Sequence, residues 1–146
     1  MSYAAEADLD AKWSPELVTL AAWDPAAEAR SSARIAVALA AASAVMDAYF
    51  ARRYALPLNP TADGATLLTN LNCDLAMGQL SNTPGTRNEI VAEAEKRAIQ
   101  FLRDVGEGKA AIPLVATPSR EPEVAPNEPV LLADGRMFTR DRMRAL

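Results

Sequence analysis

Hydrophobic residues recur at helical spacing through most of the first hundred residues. The clearest stripe lies in residues 25–53, which begin after the start signal Asp24-Pro25. Its apolar positions are three or four residues apart: Ile35, Leu39, Ala42, Met46 and then Tyr49 or Phe50. At about 1.5 Å per residue this predicted helix is about 40 Å long. We therefore expect it to be the spine of the domain.

Four further helices are predicted around this spine. Two short ones cover residues 4–12 and 15–22, and two longer ones cover residues 63–80 and 86–105. Ser14-Pro15 and the capping box from Thr86 to Glu89 are start signals, and Gly106 and Gly108 are stop signals. The pattern predicts an all-α fold, a small helical bundle, over residues 1–108.

Two tryptophans flank the second short helix. Trp13 and Trp23 either pack the short helices onto the bundle, or one of them is an exposed anchor for a partner.

The predicted spine helix ends at a corner, because a proline follows it. Pro57 forces Leu56 into an extended conformation, so the helix must stop near Arg53 or Tyr54. The Leu56 side chain is then expected to point at the bundle. Asp47 is either an exposed carboxylate or a partner of Arg52 or Arg53. The residues of this structural corner are Asp47, Arg53, Tyr54, Leu56 and Pro57.

The composition changes after residue 108. Five prolines fall between Pro113 and Pro129, a density that excludes a helix and predicts an extended, semi-rigid arm over residues 109–146. Apolar residues then return among arginines, which indicates a docking segment; a solvated tail is the alternative. The predicted partner-binding residues of the arm are Arg136, Met137, Phe138, Arg140, Arg142, Met143, Arg144 and Leu146.

Composition and charge narrow the possible functions. The net charge of −4 and the pI near 4.9 argue against general nucleic-acid binding. Aromatic residues make up only 5% of the chain, so the core is thin and oligomer contacts are expected to contribute to stability. A single cysteine, Cys73, excludes a disulfide within the chain and suits a reducing compartment.

Catalytic chemistry is not indicated. The chain has no histidine and no phosphate-binding, dinucleotide-binding, zinc-protease or serine-hydrolase motif. Carboxylates such as Glu93 and Glu95 populate the polar face of a helix. We predict no catalytic residues, no cofactor and no metal, although a hydrolase built on carboxylates remains an alternative. No secretory signal is visible, and residues 35–45 are too short an apolar run to span a bilayer.

Short motifs in a fixed order carry a family resemblance. Asp47-Ala48-Tyr49 is followed by Arg53-Tyr54-Ala55-Leu56-Pro57-Leu58, then Cys73-Asp74-Leu75-Ala76, then Phe101-Leu102 and Gly108-Lys109, and the close Arg136-Met137-Phe138-Thr139-Arg140-Asp141. In this order the chain resembles the Mu-like phage and prophage head–tail connector (adaptor) proteins. It departs from many of them before the spine helix, at Asp24-Pro25, and at Gly64, where many relatives carry a nearby proline.

The resemblance implies a structural virion protein at the head–tail interface, made in the cytoplasm of a bacterial host. Such a protein forms a ring of roughly a dozen copies between the portal and the next tail component, a terminator or stopper. DNA passes through the channel without sequence-specific binding, and no membrane is involved. The alternative is a regulatory or chaperone-like helical module that binds a soluble partner through its C-terminal arm.

Overall fold

The computed structural model describes residues 2–82 and 87–115, and within them it has five α-helices and one short β-hairpin. The helices are α1 (Glu6–Trp13), α2 (Pro15–Ala21), α3 (Ser32–Phe50), α4 (Ala62–Leu80) and α5 (Glu89–Gly106). The strands β1 (Trp23–Asp24) and β2 (Ala29–Arg30) pair antiparallel, with Trp23 opposite Arg30. The predicted all-α bundle is therefore confirmed.

The spine helix starts later than predicted. Asp24-Pro25 opens a turn instead of a helix, because the Asp24 carboxylate accepts from the Ala26 amide at 2.9 Å. Ser31 caps α3 by accepting from the Arg34 amide at 3.3 Å. The helix has 19 residues, about 28 Å, and α4 has the same length. The prediction of a single 40 Å spine is wrong.

Ion pairs tie the hairpin to α1. The Arg30 guanidinium lies 2.6 Å from a Glu6 oxygen and 2.9 Å from an Asp10 oxygen. Hydrogen bonding to Asp10 is the main cause that raises the pKa of Arg30. The hydrophobic periodicity had assigned Arg30 to the first turns of the spine. Its ion pairs with α1 hold it in the hairpin, which explains why the helix does not begin there.

The core lies where α3, α4 and α5 pack together, with α1 and α2 covering α4. Helix α4 is the most deeply buried element, since ten of its residues from Gly64 to Leu80 are buried. A buried polar cluster links α3 to α4: the Asn72 amide donates to the Ser43 hydroxyl at 2.7 Å and to the Leu39 carbonyl at 3.4 Å, and Ser43 also donates to the Leu39 carbonyl. Hydrophobic periodicity did not predict this polar cluster.

The observed helix ends differ from three of the predicted start and stop signals. Helix α5 begins at Glu89 because Asn88 accepts from the Ile90 amide at 3.0 Å, three residues later than predicted; Thr86 lies outside the described residues. Ser14 makes no side-chain capping bond. Gly106 lies within α5, whereas Gly108, at φ 80°, has the predicted left-handed conformation.

Candidate interaction surfaces

Helix α3 is apolar on its outer face as well as on its inner face. Residues 35–46 contain no charged side chain, and the outer face is exposed. We call this surface the α3 outer face; its residues are Ala33, Ala36, Val37, Ala40, Ala44, Val45 and Ala48. Val37 is 69% exposed. A helix that packs only one stripe on a core carries polar residues opposite, so this face is unusual for a free surface.

Two shallow depressions flank the α3 outer face. One, of about 380 Å³, lies between α3 and the end of α4 and is lined by Val37, Gln79 and Leu80 among others. The other, of about 400 Å³, lies beside the N-terminal segment and is lined by Ala4, Glu6, Ala36 and Ala40 among others. The surface is therefore a ridge of small side chains between two depressions.

By length and hydropathy alone, α3 could also cross a membrane. Its inner side chains, such as Ile35, Met46 and Phe50, are fully buried in the core of the bundle. A core helix passes the same test.

The two tryptophans differ in exposure. Trp13 is partly buried against the core, whereas Trp23 is 43% exposed beside Leu20, which is 59% exposed. Trp23, Leu20 and Glu16 line a third depression of about 470 Å³. One indole thus packs on the bundle and the other is exposed at the surface, and the prediction that an exposed tryptophan anchors a partner stays a prediction.

The structural corner holds the start of the predicted arm. The Arg53 guanidinium donates to the Ala110 carbonyl at 3.1 Å and lies over the Tyr54 ring, 5.7 Å from its centroid. The Tyr54 hydroxyl accepts from the Ile112 amide at 3.4 Å. Ile112 itself is 5% exposed. The corner therefore closes around residues 110–112.

The next three residues lie along the start of α4. The Thr61 amide donates to the Pro113 carbonyl at 3.1 Å, and the Val115 amide donates to the Asn59 carbonyl at 2.9 Å. Between them, Leu114 forms a β-bridge with Pro60. An added Cβ at Gly64 would lie 2.2 Å from the Pro113 oxygen, so this close approach depends on glycine.

These contacts move the predicted boundary of the arm. The sequence placed the change at residue 109 and expected the chain to leave the domain from about Pro113. Residues 109–115 instead remain packed on the helical domain, because the corner and Gly64 supply a binding site for them. The predicted partner-binding residues, Arg136 to Leu146, lie outside the described residues.

The partner of Asp47 and the exposure of Leu56 both differ from what the sequence predicted. The Tyr3 hydroxyl donates to the Asp47 carboxylate, and the Tyr3 ring meets Phe50 edge-on with centroids 6.2 Å apart. Arg52 lies over the Tyr49 ring, and Arg53 is directed to Ala110. Burial, followed by the bond to Asp47, raises the pKa of Tyr3. Asp47 thus ties the N-terminal segment to α3.

Leu56 is 42% exposed, so the prediction that it points at the bundle is wrong. The inward residue is Leu58, which is 6% exposed. The residue before a proline must be extended, but extension does not determine the side of the chain that faces the core. Pro57 is exposed, and its peptide bond with Leu56 is cis.

Three further sites have a shifted pKa or an ion pair. Burial raises the pKa of the Cys73 thiol to about 11, which leaves it protonated and unreactive at neutral pH. The hydrogen bond with Lys109 lowers the pKa of Glu107 and raises that of Lys109. Asp74 pairs with Lys12 at 2.7 Å. Among the described residues, histidine, cysteine and carboxylate side chains form no group of three placed to hold a metal.

Comparison with known proteins identifies a family for the chain. No curated protein matches the chain significantly. The model of the family described as bacteriophage Mu, Gp36 matches residues 3–129, which cover the bundle, the corner and much of the proline-rich segment. The chain is therefore a phage protein that belongs to the bacteriophage Mu Gp36 family.

Proposed function

We propose that this phage protein is a head–tail connector, several copies of which form a ring between the portal and the next tail component. The observation that carries the proposal is the α3 outer face, an apolar helix surface that is exposed in the single chain. Burial of such a surface against another molecule is favourable, and exposed patches of this kind mark interaction sites.

The attachment of residues 110–115 to the helical domain supports the same function. Residues 110–115 are held by hydrogen bonds to the Arg53 and Tyr54 side chains and to the main chain of residues 59–61, so the following 31 residues are attached to the domain at a fixed point beside α4. An adaptor that joins two rings needs such a rigid attachment. The virion is the proposed location, and the portal and a tail terminator or stopper are the proposed partners.

The charge suits a channel protein. The net charge of −4 disfavours tight binding to phosphates, which would let DNA pass through a ring without adhering to it. The proposed role is structural and includes no catalytic step, cofactor or membrane contact.

A regulatory module that binds one soluble partner through the arm is the second candidate. It is favoured by the same attachment of residues 110–115 and by the basic C-terminus.

Complementation of a phage that lacks the gene tests the proposal. The full-length protein should restore plaque formation, and without it electron microscopy should show DNA-filled or leaking heads beside unattached tails. The variant Phe138→Ala should reduce restoration, whereas Ile90→Ala, at an exposed position on α5, should not.

Mass measurement of the protein mixed with purified portal separates the two candidates. A connector should give one ring-sized complex that contains many copies of this chain. A one-to-one complex with a soluble protein, together with normal joining of heads and tails in the deletion phage, would refute the connector and favour the regulatory module.

A further inference from the structure

The α3 outer face combines three properties that define what can bind it. Its side chains are small, it is free of charge from residue 35 to residue 46, and a depression of about 400 Å³ lies on one side with one of about 380 Å³ on the other. A flat or small-residue partner would leave both depressions empty, which forfeits packing contacts. The face therefore fits an extended segment with large apolar side chains.

The chain itself has large apolar side chains among the residues that lie outside the described ranges. Val130, Leu131 and Leu132 form one apolar run, and Met137 and Phe138 form a second. The last described residue, Val115, is hydrogen-bonded to Asn59 beside the start of α4. The 14 residues numbered 116–129 then link this fixed point to the first apolar run.

The length of that link favours binding to a neighbouring copy. A proline-rich chain extends by about 3.1 Å per residue, so an extended link of 14 residues would span about 43 Å. Helix α3 is about 28 Å long, since it has 19 residues. A link with that reach is longer than α3 and is therefore long enough to extend to a neighbouring copy.

Charge favours a second copy as well. Residues 136–146 carry four arginines and one aspartate, whereas residues 1–115 carry fourteen acidic and ten basic side chains. Glu6, which is paired with Arg30, lines one of the two depressions, and Arg34 lines the other, so the complementarity lies in the net charge of the domain. A basic apolar segment is thus complementary to the acidic domain of another copy.

We propose that residues 130–138 of one copy bind along the α3 outer face of a neighbouring copy, with Met137 and Phe138 in the flanking depressions. The inference rests on the proposed assembly of several copies. The contact is heterologous, because the arm and the α3 outer face are different surfaces, and a heterologous contact forms a closed ring when its rotation divides a full turn.

Thiol cross-linking between two full-length variants tests the contact. Val37→Cys protein is mixed with Phe138→Cys protein and treated with a short bismaleimide, so a product that joins the two positions can form only between copies. The native thiol of Cys73 is buried and protonated at neutral pH, which keeps its background reaction low. The matched control replaces Val37→Cys with Ile90→Cys, since Ile90 is 65% exposed on α5.

The expected result is a dimeric product that joins positions 37 and 138 and is several times more abundant than the product from positions 90 and 138. Equal yields, or no 37–138 product at any protein concentration, would overturn the proposal. In a Val37→Cys/Phe138→Cys double variant, a product confined to single chains would show that the arm binds its own domain, which also overturns it.

A charge substitution separates this proposal from the proposed function. Val37→Glu should abolish ring formation with the portal and leave the melting temperature of the monomer unchanged, whereas Ile90→Glu should leave both unchanged. If Val37→Glu still forms rings and joins heads to tails, the α3 contact is wrong and the connector stands. If the wild-type protein forms no ring and the deletion phage joins heads to tails normally, the connector itself is wrong.

Discussion

At the scale of single residues, one leucine holds the exit from α3 against the bundle. Leu58 is 6% exposed and belongs to the core, whereas Leu56, two residues earlier, is 42% exposed. We expect Leu58→Ala to lower the free energy of unfolding by about 2–4 kcal/mol, and Leu56→Ala to lower it by less than about 1 kcal/mol. Urea denaturation of the two variants measures the difference. Equal losses would show that both side chains are packed.

The buried thiol of Cys73 predicts a loss of stability in alkali. Its ordinary pKa is 9.0, and burial raises it to about 11 in the folded protein. The thiol therefore ionises first in the unfolded chain, so its contribution is complete below about pH 9 and is lost as the pH rises towards 11.

We expect Cys73→Ala to reduce the fall in urea midpoint between pH 9 and 11. The wild-type protein is the control, and the slope is compared because the substitution also opens a small cavity. Burial shifts the pKa of Tyr3 in the same direction, so Tyr3→Phe should reduce a further loss at higher pH. An identical slope in Cys73→Ala and wild type would contradict the assignment.

At the scale of elements, α4 receives the C-terminal segment at a glycine. An alanine at Gly64 would place its Cβ 2.2 Å from the Pro113 carbonyl oxygen, a main-chain atom that cannot move alone. We expect Gly64→Ala to displace residues 113–115 from α4 and to increase hydrogen exchange at the Val115 amide, which bonds to Asn59.

A second buried glycine on the same helix is the matched control. At Gly78 the nearest atom to an added Cβ is the Glu95 side-chain carboxyl carbon, at 2.6 Å, and that side chain can rotate. In the interior of a helix, alanine is also more favourable than glycine by about 1 kcal/mol. Gly78→Ala should therefore leave exchange at Val115 unchanged. Equal protection of Val115 in both variants would show that Gly64 does not hold the segment.

At the scale of the whole molecule, the position of a truncation decides whether the domain survives. A chain ending at Val115 keeps Ile112 buried and keeps the bonds between residues 113–115 and the start of α4. A chain ending at Ala111 loses all of them. We expect the longer form to melt within a few degrees of the full-length protein and the shorter form to melt well below it.

Both truncated forms should be monomeric and fail to join heads to tails. Calorimetry measures the melting temperatures, sedimentation measures the oligomeric state, and complementation of the deletion phage measures the joining of heads to tails. A chain ending at Val115 that still supports infectious particles would show that residues 116–146 are dispensable, and the docking of the arm would have to be abandoned.

The sequence by itself determined the class of the fold and the family. Helical periodicity placed α4 and the two short helices within two residues of their observed ends, because apolar stripes, caps and prolines are local signals. The motifs from Asp47 to Gly108 pointed to the family whose model matches the chain. None of these inferences required knowledge of which segments meet.

Tertiary structure decided the features that depend on contacts between residues far apart in the sequence. Periodicity continued the spine through residues 25–31, but Arg30 pairs with Glu6 and Asp10 on α1, and these contacts hold a hairpin there instead. The composition placed the arm's start at residue 109, but the corner and Gly64 bind residues 110–115. The stripe from Ile35 to Phe50 predicted the buried face of α3 correctly. Only packing shows that the described elements leave the opposite, apolar face exposed, because the periodicity of one helix carries no information about which neighbours cover it.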